Sequence, residues 1–214
     1  MKLIMGVLLT AAAACGQVEI SESLQPQGLK MEVVDFKGRK AMKFTELSGQ
    51  QVDGNLCLLK GESFRDGAID LWLAGEPAPG AGAGARGFVG VAFRVKGTGE
   101  KYEAFYLRPT NGRAPDQVRR NHSAQYISHP NHHWLRLRKE FPEKYESYVD
   151  LQPGEWTQVR VVVKGKTAQL FVHGAAQPAL IVNDLIMGEE SGGVALWVGP
   201  GTVAHFADFK VTKQ

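Results

Sequence analysis

Short segments in which apolar residues alternate strictly with other residues recur along this chain. Each is closed by glycine or another turn former, and no stretch keeps apolar residues at helical spacing for three turns. A mainly β fold follows. The expected strands run Lys30 to Phe36, Lys40 to Thr45, Ala68 to Ala74, Phe88 to Lys96, Lys101 to Arg108, Trp156 to Lys164, Thr167 to His173, Gly193 to Val198 and His205 to Thr212. Phe36-Lys37-Gly38-Arg39, Lys96-Gly97-Thr98-Gly99 and Lys164-Gly165-Lys166 read as hairpin turns, because glycine supplies the positive φ that short connections between antiparallel strands require. The Gly/Ala/Pro run from Pro77 to Gly87 reads as a surface loop, since the same strand pattern resumes on both sides.

The first fifteen residues have the outline of an export signal. Met1-Lys2 starts it with a positive charge, Leu3 to Leu9 forms an apolar stretch, and small residues lead to Cys15. Ala12-Ala13-Ala14-Cys15 resembles the bacterial lipobox, which implies lipidation of Cys15 and an extracytoplasmic, membrane-anchored protein; ordinary cleavage after the alanines, giving a secreted protein, is the alternative. On this reading residues 1–14 are a signal peptide and residues 15–214 a single domain, a length one β sandwich can fill. The remaining cysteine, Cys57, sits in Leu56-Cys57-Leu58-Leu59 and reads as a small core residue rather than a nucleophile.

The formal net charge of +3 gives no overall pull toward nucleic acid, but the charge is uneven. Between Arg108 and Lys144 six arginines and two lysines face Asp116, Glu140 and Glu143, a local net charge of +5.

Alternation assigns faces to the central strands. Val89, Val91, Phe93 and Val95 point one way, and Phe88, Gly90, Ala92 and Arg94 the other; Phe105 and Leu107 oppose Tyr102, Ala104, Tyr106 and Arg108. The small residues beside Arg94, Tyr106 and Arg108, with Trp197 nearby, predict a shallow trough with polar and aromatic walls. Such a trough suits a sugar, whose C–H faces stack on rings and whose hydroxyls bond to forked donors. An ordinary solvent-facing sheet surface is the plain alternative.

Phe64-Arg65-Asp66-Gly67, Gly87 to Arg94, Tyr102 to Arg108, Gly154-Glu155-Trp156 and Gly192 to Trp197 leading to His205-Phe206 together resemble the concanavalin A-like lectin/glucanase superfamily. Within it the chain looks most like laminin G-like domains related to bacterial 3-keto-disaccharide hydrolases. The resemblance implies an antiparallel two-sheet jelly roll with a concave carbohydrate-binding face. The laminarinase-type endoglucanases of that superfamily carry Glu, Asp and Glu at alternating positions on one strand, and this chain has no such triplet.

A long insertion, about residues 109–147, interrupts the strand pattern without being low in complexity, and long structured loops usually carry recognition. It holds His122, His129, His132, His133, Tyr126, Trp134 and Tyr145. Asn121-His122-Ser123-Ala124-Gln125-Tyr126 groups donors and acceptors with one ring, as polyol recognition needs. The expected ligand-binding set is therefore Arg94, Tyr106, Arg108, Asn121, His122, Gln125, Tyr126, Trp134, Trp197 and His205, the last either facing the trough or filling a sheet edge. Catalysis by glycosidase chemistry needs paired carboxylates. The candidates are Glu103 and Asp116, with His122 assisting; Glu140, Glu143 and Glu146 are the other acids within reach, and Glu103 is either a buried, partnered acid or, through a bulge, a groove residue.

No metal or cofactor is expected, although a calcium site built from carbonyls and scattered acids would leave no sequence trace. The favoured function is an exported carbohydrate-binding protein, monomeric, whose partner is a saccharide, preferably anionic because the arginines can pair carboxylates bidentately. A glycoside or 3-keto-disaccharide hydrolase is one alternative, and a laminin G-like protein-interaction domain the other. Nucleic acid is not an expected partner, and membrane contact is expected only through the lipid anchor.

Overall fold

The computed structural model describes residues 23–47, 54–61 and 63–214; the signal segment and Cys15 lie outside the described residues. The strands are β1 (Leu24–Pro26), β2 (Leu29–Phe36), β3 (Arg39–Glu46), β4 (Asn55–Leu59), β5 (Gly67–Pro77), β6 (Val89–Lys96) and β7 (Lys101–Leu107). Beyond these, α1 (Gln117–Asn121), β8 (Ala124–His129), α2 (Trp134–Glu140) and β9 (Glu146–Ser147) occupy the insertion. The chain continues through β10 (Thr157–Lys164), β11 (Thr167–Val172), β12 (Leu180–Val182), β13 (Gly193–Val198) and β14 (Thr202–Lys213). They form two seven-stranded antiparallel sheets, ordered β1-β4-β13-β6-β7-β8-β9 and β12-β11-β10-β5-β14-β3-β2.

The alternation explains how the sheets meet. Val89, Val91 and Phe93 of β6 lie on one face with Phe105 and Leu107 of β7, all buried. The second sheet supplies Ile69, Leu71 and Leu73 of β5, and Phe44 meets Phe206 edge-on at 5.7 Å between centroids. A Cβ on Gly75, two positions beyond Leu73, would fall 2.8 Å from Cγ1 of Val89, so the inner faces of β5 and β6 touch there and glycine permits it. Each buried Val, Leu or Phe contributes about 1.5–3 kcal/mol, and this layer supplies most of the stabilisation. The hairpins turn where glycine was expected to turn them, with Gly38 at φ 78° and Gly165 at φ 56°.

Two regions depart from the sequence pattern. The insertion does not interrupt the sheet: β8 pairs with β7 from Leu107↔Ala124 to Tyr102↔His129 and extends it. Its residues are buried on both faces except His129, so polar side chains such as Gln125 and Ser128 are inside and obscure the alternation. The short strands β1, β4 and β12 likewise carry too few residues for a periodic signal.

Candidate functional site

One row of neighbours crosses the outer face of the first sheet: Leu56, Trp197, Gly90, Tyr106, Gln125 and Glu146. Trp197 reaches across Gly90 and stacks on Tyr106 at 4.5 Å and 19°. A Cβ on Gly90 would fall 2.6 Å from Cβ of Tyr106, and one on Gly54 would strike the Trp197 indole at 2.3 Å. The space that Gly90 and Ala92 open is thus taken by the protein's own rings. Tyr106 and Trp197 are buried, and the indole Nε1 donates to the Tyr102 hydroxyl at 3.2 Å. An open trough at that point is replaced by a packed aromatic floor.

The open space lies farther along, where β7 ends. Arg108 faces outward like Tyr106 and acts as a hub. Its Nη2 donates to the Tyr106 hydroxyl (2.8 Å) and Gln125 Oε1 (3.0 Å), and its Nη1 donates to the His122 carbonyl (2.9 Å) and Glu146 Oε1 (3.3 Å). Arg138, from α2, holds both oxygens of Glu146, with Nε to Oε2 at 2.8 Å. Above this hub opens a groove of about 560 Å³, with Arg86, Arg108, Arg119 and Arg138 around it and Phe88 and Trp134 as apolar walls.

Local structure fixes each wall. Asp116 caps α1, its Oδ1 accepting from the Arg119 amide at 2.6 Å, which sets the direction of Arg119. The Arg119 guanidinium is then held by Asn111 Oδ1 (2.9 Å) and Thr110 Oγ1 (3.2 Å). Arg86, at the end of the Gly/Ala/Pro loop, donates to the carbonyls of Ala83 (2.6 Å) and Ala85 (3.0 Å). Trp134 opens α2 with 41 % of its surface exposed, and Arg138 lies 4.8 Å from its ring centroid.

Four guanidinium groups and the Asp116 carboxylate line the groove, so positive charge is in excess there. Burial, then the proximity of Arg119 and Arg108, push the Arg86 guanidinium below the usual arginine range, although it stays charged at neutral pH. Among the described residues, Arg108 and Arg138 are the two of these guanidinium groups paired with a carboxylate, and they share Glu146. His122 borders the same space. Its Nδ1 stands 3.1 Å from Glu146 Oε2, at an angle that makes no hydrogen bond, and burial holds the imidazole below the ordinary histidine range against the pull of that carboxylate. The ring is therefore neutral at pH 7.

Arg94 and Glu103 are not in the groove. The register shifts between Phe93 and Lys96, and Arg94 adopts φ 55°, so its side chain turns between the sheets instead of joining Gly90 and Ala92. There it is fully buried, donating to the carbonyls of Arg65, Gly165 and Gly188 and standing 3.6 Å from Glu103 Oε2. Glu103 is the buried, partnered acid, not the groove residue: its Oε1 accepts from the Tyr126 hydroxyl (2.8 Å) and the Met187 amide (3.0 Å). Burial raises its carboxyl above the usual range, but it faces no opening. Tyr126, expected at a binding rim, belongs to this internal centre.

The remaining expected residues separate. Arg108, His122, Trp134 and Asp116 come together in the groove. Gln125 lies beneath it, buried, donating to the carbonyls of Tyr126 and Tyr145. Asn121 lines a side cavity of about 280 Å³ that adjoins it. His205 is in the second sheet, far from Trp197, and fills a sheet face: it stacks on Phe36 at 3.7 Å, and burial, with Lys43 and Lys37 nearby, holds its pKa down at about 4. Cys57 is buried, and burial pushes its thiol up to about 12, as a core residue requires. Arg86, Arg119 and Arg138 were missed as individual ligands; the local charge of +5 flagged two of them collectively, while Arg86 stood outside the basic segment. Among the described residues no three His, Cys, Asp or Glu side chains cluster as metal ligands.

No protein-family model matches the chain, and no curated protein matches it in sequence. Solved structures do. A carbohydrate-binding module, CBM66 from Bacillus subtilis, superposes with a TM-score of 0.60 at 9 % identity, covering 87 % of this chain and 93 % of the module. A Bacillus subtilis protein of unknown function with a galectin-like fold gives 0.55 at 11 % identity, over 90 % and 91 % of the two chains. A cellulose-induced protein, Cip1, gives 0.50 at 12 % identity over 88 % and 87 %. The chain shares with these structures a concanavalin A-like jelly-roll fold of two antiparallel sheets.

Proposed function

We propose that this protein is an exported saccharide-binding domain, anchored through Cys15, and that the arginine groove takes an acidic sugar. The observation that carries the reading is the presence of four guanidinium groups and two aromatic walls around one groove, against two carboxylates, Asp116 in its lining and Glu146 shared by two of the arginines. Forked donors pair a sugar carboxylate in two parallel bonds, and Trp134 and Phe88 offer faces for the C–H side of the ring. The similarity in fold to a carbohydrate-binding module supports the same reading.

Binding without turnover is favoured by what the two nearby acids already do. Asp116 is engaged in capping α1, and both oxygens of Glu146 are held by guanidinium groups, so neither is placed as a free proton donor opposite a second carboxylate. Isothermal titration of the purified protein with neutral and acidic saccharides, with product release followed in parallel, tests this. Binding of uronates without product is the expected result; preference for neutral sugars would reject the acidic ligand, and released monosaccharide would reject a pure binding role. Anchoring is tested by cell fractionation, in which Cys15→Ser moves the protein from membranes to the soluble fraction.

A further inference from the structure

The side cavity beside the groove shares Val118 and His122 with it, so the two spaces are neighbours across that histidine. Their chemistry differs. The groove is ringed by arginines, whereas the side cavity contains no lysine or arginine among its lining residues and presents Asn121, Glu143, Ser147 and Tyr148. Tyr148 is 41 % exposed, and its hydroxyl accepts from Arg120 Nη2 at 2.9 Å, which fixes the ring. Glu143, exposed, adds a negative charge, and Glu146 closes the floor shared with the hub. An acidic sugar in this second space would face carboxylates at close range; a neutral or amino sugar would find acceptors for its hydroxyl or ammonium hydrogens, an amide donor from Asn121 and a ring to stack on.

Resting on the acidic-sugar reading of the groove, we infer that the cleft binds a mixed disaccharide unit, an acidic sugar in the arginine groove joined to a non-acidic sugar in the Asn121–Tyr148 cavity. His122 lines both positions.

The test is titration of the whole protein with three probes: free glucuronate, a disaccharide of two galacturonates, and the disaccharide of glucuronate and N-acetylglucosamine. The mixed disaccharide is expected to bind at least tenfold tighter than glucuronate, and the diacidic one no tighter. Tyr148→Ala and, separately, Glu143→Gln should reduce the gain from the second sugar while glucuronate binds as before, and Arg119→Ala should weaken all three. Equal affinity for the mixed disaccharide and glucuronate, or a gain that survives both substitutions in the side cavity, overturns the second position. Failure of all three probes to bind overturns the acidic-sugar reading itself.

Discussion

Two arginine–glutamate centres lie on either side of the same β7 strand and put similar groups to opposite uses. Between the sheets, Arg94 meets Glu103, Asp66 and three backbone carbonyls, and neither Arg94 nor Glu103 is exposed. On the outer face, Arg108 meets Glu146, Tyr106, Gln125 and a backbone carbonyl, but Arg138, Arg119 and Arg86 crowd the same neighbourhood and a groove opens above them. The inner centre balances its charge within the fold and ties the turns at Gly165 and Gly188 to the first sheet. The outer one leaves positive charge uncompensated at a surface opening. Residue type does not separate a structural ion pair from a recognition site; the charge left over and its access to a ligand do.

The sharpest way to break this contrast is Arg94→Met. It strands the Glu103 carboxylate in a dry interior, and an unpaired buried charge costs about 3–5 kcal/mol. Chemical denaturation should show that loss, while sugar affinity measured on the folded fraction is retained; a fully stable variant would mean that Glu103 has no need of its partner.

The histidines extend the comparison. His205 is packed against Phe36 with its pKa near 4, below the unfolded value of about 6.5, so the unfolded chain binds the extra proton first. Its contribution to stability is complete above about pH 6.5 and is lost as pH falls toward 4, amounting to about 3 kcal/mol at most. Denaturation of wild type and His205→Phe across that range checks it: the variant should lose this part of the slope, and parallel curves would remove His205 as its source.

At the groove the expected effects fall on binding. Arg119→Ala should weaken uronate affinity about tenfold, the scale of one charge-assisted hydrogen bond at about 1.5 kcal/mol, and Trp134→Ala somewhat less, each leaving stability within about 0.5 kcal/mol because both side chains lie at the surface opening. Loss of folding without loss of affinity would place these residues with the inner centre instead. The smallest effect expected is that of salt. Raising ionic strength from low to physiological should weaken uronate binding a few-fold and leave the stability of the Arg94 centre unchanged, since only exposed charges are screened; equal sensitivity of both would erase the distinction.

The sequence was most legible where one face of a strand is wet or small. The strands from Leu29 to Phe36 and from Val89 to Leu107 show their alternation openly, and the expected bounds differ from the observed ones by a residue or so. Ala124 to His129 was not legible because Gln125, Ser128 and His129 break the apolar alternation of a strand that is nonetheless buried. The basic segment pointed to Arg108, His122 and Trp134, which do meet, but local charge could not reveal that the loop ending at Arg86 returns to the same groove.

By itself, then, the sequence determined the β class, the antiparallel hairpins and the inward residues of the central strands, since these depend on periods of two and on glycine conformation, which neighbouring residues alone decide. Only the tertiary structure decided which polar residues are internal partners and which line the open groove. A shift of register at Arg94 moves one side chain through the sheet, the indole of Trp197 fills the space beside Gly90, and residues thirty positions apart converge on Glu146. Those outcomes depend on long-range packing and on the cost of leaving a charge unpaired, and neither is written in any local stretch of the chain.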